Sequence, residues 1–172
     1  MIKVGTSRAD ITPPVGMPHA NWGSSTHQVA EGIDMPMYCY VMYLESESNG
    51  NKVIILDLDL CIIDDEIDQM IRDAVISVVD IPKENIRISV SHTHAGPPYG
   101  RSDSTGGGWI TEGVELIKPY YDAFPKKISR AVSESVSSII PCNISYGKGR
   151  SDININRRPS DDKGKLFTGR NW

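Results

Sequence analysis

The sequence predicts an α/β or α+β fold, a layered mixed sheet with flanking helices, and three observations carry that expectation. Short β-prone runs and amphipathic helical stretches interleave along the chain. An Asn-Gly pair joins two neighbouring strand candidates. The 172 residues suffice for one sizeable core and require no second, so 1–172 is read as a single domain.

The elements follow in order. Lys3 to Ile11 is extended and is closed by Thr12-Pro13-Pro14, whose prolines remove the backbone donors that a ladder needs. Gly16 to Gly32, with His19 and His27, has no periodicity and reads as an irregular segment whose histidines face solvent. Met35 to Glu45 and Lys52 to Ile63 are strand candidates. Asn49-Gly50 between them suits a turn with positive φ, which predicts antiparallel pairing. Tyr38, Tyr40 and Tyr43 are expected to pack on the sheet.

Asp64-Asp65-Glu66 opens an amphipathic helix with Ile67, Met70, Ile71, Ala74, Val75 and Val78 on one face. After Asp80-Ile81-Pro82 the alternation of Ile86, Ile88 and Val90 predicts a half-buried strand over 85–91. Gly106-Gly107-Gly108 reads as a loop with no phosphate-binding signature. A second helix is expected over 120–139, interrupted near its start by Pro125, with Ile128, Val132 and Val136 inward. A last extended piece is expected over 143–147.

Composition removes several function classes. Hydrophobic residues make up 39% and charged residues 23%, an ordinary globular balance that argues against general disorder. The formal charge of −4 and the scattered basic residues give no support to nucleic-acid binding. No apolar run approaches the roughly 20 residues of a membrane span, and the first residues lack the apolar core of a signal peptide. The expectation is therefore a cytoplasmic chain. Cys39, Cys61 and Cys142 are widely spaced and odd in number, which reads as buried thiols in a reducing compartment. Oligomeric state is not legible.

The strongest chemical feature is Ser91-His92-Thr93-His94-Ala95-Gly96-Pro97, directly after a predicted strand. In extended backbone the side chains at i and i+2 point the same way, so two imidazoles could converge on one metal or substrate group. Zinc is the natural candidate, because neutral imidazole nitrogen binds it at ~2.0–2.1 Å. Asp57 and Asp59 share a strand face. Asp57 reads as part of a polar outer face, and Asp59, nearer the strand end, as a group that could steady a histidine. Arg8 and Asp10 read as solvated charges.

These residues resemble the neutral/alkaline non-lysosomal ceramidases. The histidine segment resembles that family's threonine-flanked pair followed by Gly-Pro. Val4-Gly5-Thr6-Ser7-Arg8-Ala9-Asp10-Ile11-Thr12-Pro13 is similar to its start, and Asn154-Ile155-Asn156-Arg157-Arg158-Pro159 to its Asn-Arg loop. The resemblance implies a zinc-activated water attacking an amide carbonyl of a ceramide-like N-acyl substrate. It implies His92 as a zinc ligand, His94 as a neighbour that contacts substrate or assists proton transfer, and Arg157 as the cation that polarises the carbonyl. It also implies a second histidine, a glutamate and a tyrosine well downstream, beyond Trp172. The chain is thus expected to be a partial catalytic domain, inactive alone. Two alternatives stay open: a metal hydrolase of a non-lipid ester or amide, and a catalytically silent domain.

Overall fold

The computed structural model describes residues 1–19, 26–98, 110–153, 158 and 160–166. Five strands form one mixed sheet in the order β4-β3-β2-β1-β5. They are β1 (Ile2–Asp10), β2 (Tyr38–Ser46), β3 (Lys52–Leu58), β4 (Ile86–Val90) and β5 (Ile140–Cys142). Strand β2 is antiparallel to both β1 and β3, β5 is antiparallel to β1, and only β3 and β4 run parallel. The helices are α1 (Asp65–Ile76), α2 (Ile117–Asp122) and α3 (Phe124–Ser137). This is the α+β member of the expected pair of classes.

The β2–β3 hairpin forms as the Asn-Gly pair predicts. Gly50 takes φ of 69°, its N–H donates to the Ser46 carbonyl at 2.9 Å, and Asn49 Oδ1 accepts from the Asn51 N–H. Alternation along both strands then sorts their side chains. Cys39, Val41, Tyr43, Ile54, Leu56 and Leu58 are buried on one face, while Tyr40, Met42, Val53 and Asp57 are exposed on the other. Tyr40 therefore departs from the packing role expected of it. It sits opposite Asp57 in the β2–β3 register, on the face that α1 and α3 leave open.

Helix α1 crosses from β3 to β4, which is what makes those two strands parallel. Its N-terminus is where the acidic run placed it: Asp64 Oδ1 accepts the Ile67 N–H at 2.9 Å. The helix ends at Ile76, so Val78 lies beyond it and is exposed. Arg72 ties α1 to the entry of β4, donating to the Ile86 carbonyl while paired with Asp68. Replacing the cap, Asp64→Ala, is expected to lower unfolding free energy by about 1 kcal/mol. A denaturation midpoint shifted downward without a change of slope is the expected observation.

Two further expectations are corrected. The second helical stretch begins at Ile117 rather than Tyr120 and divides at Ala123; Pro125 occupies the first turn of α3, where its missing N–H costs no intrahelical bond. The last strand is Ile140–Cys142, and residues 143–147 form no regular element. Pairing with Ile2–Val4 starts as soon as the chain leaves α3, and Pro141 is tolerated there because β5 is an edge strand.

Helix α3 lies directly on β1. Ser7 Oγ donates to the Ala131 carbonyl at 2.6 Å, and Phe124, Ile128, Ala131 and Val132 complete the core against the sheet. Val136 packs at its margin, as its place in the helical stripe predicts. Among the described residues, no helix is long and apolar enough to cross a membrane.

Candidate metal and substrate site

The parallel pair β3 and β4 ends in register at Leu58 and Val90, and the Ser91 N–H extends the ladder by donating to the Leu58 carbonyl at 3.0 Å. Both chains leave the sheet at the same edge. Leu60-Cys61 is thereby placed beside Ser91 to His94, at the carboxyl ends of parallel strands where ligands gather in sheets of this kind.

His92 and His94 do converge, but the cause is not the strand alternation that the sequence suggested. Strand β4 stops at Val90, and His92 adopts φ of 60°, the one positive value at a non-glycine residue among those described. Left-handed backbone at such a residue costs on the order of 1 kcal/mol and persists only where surrounding contacts enforce it. Here the contact is to Cys61. The His92 Nδ1 lies 2.9 Å from the Cys61 carbonyl oxygen. A carbonyl can only accept, so Nδ1 carries the proton and Nε2 keeps a lone pair. That is how histidines that bind metals are commonly oriented. The His94 ring meets the His92 ring edge-on, with centroids 5.0 Å apart.

The Cys61 Sγ completes the group, 3.9 Å from His92 Nδ1 and 4.0 Å from His94 Nδ1. One donor atom from each of Cys61, His92 and His94 lies within 4.8 Å of the others. The distances from Sγ are to Nδ1, the nitrogen of His92 that donates to the Cys61 carbonyl, so His92 itself is left to meet a metal through Nε2. Cys61 is buried, and burial pushes its thiol up from the ordinary range. The thiol was legible only as a buried residue. Its sequence signal is positional: in a strand–helix–strand crossover, residues just after the first strand end up beside those just after the second.

Behind the histidines the loop is fixed from below. Thr93 Oγ1 accepts the Ala95 N–H, and Gly96 is buried where a Cβ would meet the Met37 methyl carbon at 2.7 Å. Tyr121, fully buried, donates from its hydroxyl to the Pro98 carbonyl at 2.6 Å. Burial also raises the Tyr121 phenol, with the nearby Asp64 and Cys61 adding to it, so it stays a neutral donor. Tyr121→Phe leaves a buried carbonyl without its partner. It should cost about 1–2 kcal/mol of stability, read as a fall in denaturation midpoint, while leaving the overall circular dichroism unchanged.

A cavity of about 580 Å³ lies against the other side of this loop. Thr93, Ala95 and Gly96 line it together with Asp59, Met37, the segment Glu31–Pro36, His19 and His27. The volume is in the range of small-molecule sites. Asp59 does not orient a histidine: its Oδ2 accepts the Tyr38 N–H at 2.9 Å, and the Cys61 carbonyl holds His92 instead. Asp57 stays on the outer face with the Ser89 hydroxyl, as its polar reading had it. Arg8 stacks over Tyr38 at 4.3 Å, while Asp10 accepts the Thr12 N–H rather than pairing with Arg8. His27 is exposed, as expected, but His19 is not simply solvent-facing. It packs edge-on against His27, and its Nε2 is sealed without a hydrogen-bond partner among the described residues. Arg157 and Gly106-Gly107-Gly108 lie outside the described residues.

The N-terminal family model of the neutral/alkaline non-lysosomal ceramidases matches residues 2–161. The chain belongs to that family. Among relatives of the ceramidase-family chain, a neutral ceramidase of Oryza sativa subsp. japonica is 26% identical over 166 residues, covering 91% of this chain and 20% of the relative. Neutral ceramidase 2 of Arabidopsis thaliana is 24% identical over 164 residues, covering 91% and 21%. The crystal structure of neutral ceramidase from Pseudomonas aeruginosa superposes with a TM-score of 0.63 at 23% identity, over 81% of this chain and 22% of that one, which shows a shared fold. The chain spans about a fifth of the length of the relatives it matches.

Proposed function

We propose that this chain supplies the N-terminal part of the catalytic site of a zinc-dependent hydrolase that cleaves the amide bond of ceramide-like N-acyl substrates. The observation that carries the reading is the convergence of His92 and His94 at the carboxyl edge of the β3–β4 pair, in a chain of ceramidase lineage. His92 would hold the metal through Nε2, with its other nitrogen on the Cys61 carbonyl. Zinc, when bound there, supplies the Lewis acidity that makes water nucleophilic near neutral pH. His94, edge-on to His92, contacts the substrate or assists proton transfer between water and the departing amide nitrogen. Arg157 brings a fixed positive charge for the oxygen that becomes anionic as the carbonyl is attacked. The nearby cavity, with Met17, Met35 and Met37 among its walls, can accommodate apolar parts of such a substrate.

The experiment is hydrolysis of a short-chain N-acyl amino alcohol by the longest polypeptide that the gene encodes, with and without a chelator. Equimolar release of fatty acid and amine, abolished by chelation and restored by zinc, is the expected result. Cleavage that persists in the metal-free protein, or turnover of esters with no turnover of the amide, would overturn the assignment.

A further inference from the structure

We propose that Asp59 is a specificity-determining residue, its carboxylate accepting a hydrogen bond from a hydroxyl group on the amine half of the substrate. The inference rests on the amide-hydrolase reading and names which half of the substrate the cavity of about 580 Å³ receives. Three observations carry it. Asp59 directly follows β3 and is pinned to Tyr38 twice, its N–H donating to the Tyr38 carbonyl and its Oδ2 accepting the Tyr38 N–H, each at 2.9 Å. That leaves Oδ1 of a half-buried carboxylate with no hydrogen-bond partner among the described residues. Asp59 lines the cavity together with Thr93, the residue between His92 and His94, so a ligand held at Asp59 lies beside the loop that carries both histidines.

The charge of the lining sets the class of ligand. Glu31, Asp34 and Asp59 bring carboxylates to the cavity, and no lysine or arginine is among the described residues that line it. A carboxylate only accepts hydrogen bonds, so its ligand must donate, and an anion would be repelled. In an intact N-acyl substrate the nitrogen is uncharged and belongs to the reacting group, which leaves a hydroxyl on the amine half as the donor. The acyl half is excluded on charge, because cleavage turns it into a carboxylate among three like groups. Glu31 and Asp34 are exposed and stay hydrated, so the half-buried Asp59 is the acceptor at which a hydrogen bond discriminates most. His19 lines the same cavity, and its sealed Nε2 also lacks a partner among the described residues. Hydrogen-bonding capacity left unfilled at a cavity wall is what a polar ligand would satisfy.

The test compares Asp59→Asn with the parent in the longest polypeptide that the gene encodes, on N-acyl serinol and N-acyl isopropylamine, a pair that differs only in hydroxyl groups. Asparagine keeps an amide oxygen for the Tyr38 N–H and presents an NH₂ donor in place of the free oxygen. The parent should favour the serinol amide by about tenfold or more in kcat/KM, and the variant should lose that preference. Its turnover of the isopropylamine amide and its denaturation midpoint should stay close to those of the parent. A parent without the preference, a preference that survives Asp59→Asn, or an equal fall on both substrates would overturn the inference, the last by showing that Asp59 serves only the shape of the cavity. Binding is read separately, by ligand-observed NMR of the same two proteins with free serinol and free isopropylamine. Tighter binding of serinol by the parent, lost in the variant, is the expected result. Equal binding of the two amines would assign the carboxylate to the ammonium group, and no binding of either would remove the site; both overturn hydroxyl recognition. If neither amide is hydrolysed, the hydrolase reading falls, while the titration still decides the role of Asp59.

Discussion

Gly5→Ala is expected to be the most damaging single change in the fold, lowering unfolding free energy by about 3 kcal/mol or more. A methyl group at residue 5 would run into the backbone carbonyl of Ser135, with the Ile139 side chain also at 3.1 Å. The obstacle is helix backbone, which cannot rotate aside as a side chain would. Moving α3 outward would disturb its hydrogen bond from Ser7 and its contacts through Ile128 and Val132. Overpacking usually costs 1–3 kcal/mol, and rigid backbone places this case at or beyond the upper end. Against a typical domain stability of about 5–15 kcal/mol, the variant should show a much lower denaturation midpoint or fail to accumulate as soluble protein. A midpoint within experimental error of the parent would mean that α3 is not seated on β1 as described.

His92→Gly separates chemistry from folding. Glycine takes positive φ without steric cost, so the substitution removes the backbone strain at residue 92 along with the imidazole. Stability should change by no more than about 1 kcal/mol, because the relieved strain offsets the lost hydrogen bond to the Cys61 carbonyl and the larger unfolded-state entropy of glycine. Hydrolysis of an N-acyl amide by the full polypeptide should nevertheless fall by about 10³-fold, the scale of the several kcal/mol that metal activation contributes. The split between the two readouts is the point. A variant that is less active and destabilised by several kcal/mol would indicate that His92 serves the fold. One that is fully active would remove it from the site.

Much of the architecture was legible because local chemistry and global packing agree. The Asn49-Gly50 turn, the acidic start of α1 and the alternation of Ile86, Ile88 and Val90 each reappear in the structure as the elements they suggest. The errors fall where a tertiary partner decides. Residues 140–142 become a strand because β1 offers an unpaired edge, not because of their own propensity. Tyr40 is exposed because alternation outranks aromatic character when only one face of a sheet is covered. In the site, the histidine pair was visible as a motif, yet its geometry depends on a left-handed His92 and on the carbonyl of Cys61, 31 residues earlier. Periodicity carries no information about either. Cys61 itself was hidden for the same reason: its neighbours are made by the β3–α1–β4 crossover rather than by any spacing in the chain.

Zinc binding by the longest polypeptide that the gene encodes and by its His92→Gly variant, measured by isothermal titration with folding checked in parallel, tests the central claim most directly. The account predicts one zinc per parent chain and its loss from a variant that remains folded. Equal zinc binding by both proteins, or none by the parent, would contradict the placement of a metal at His92.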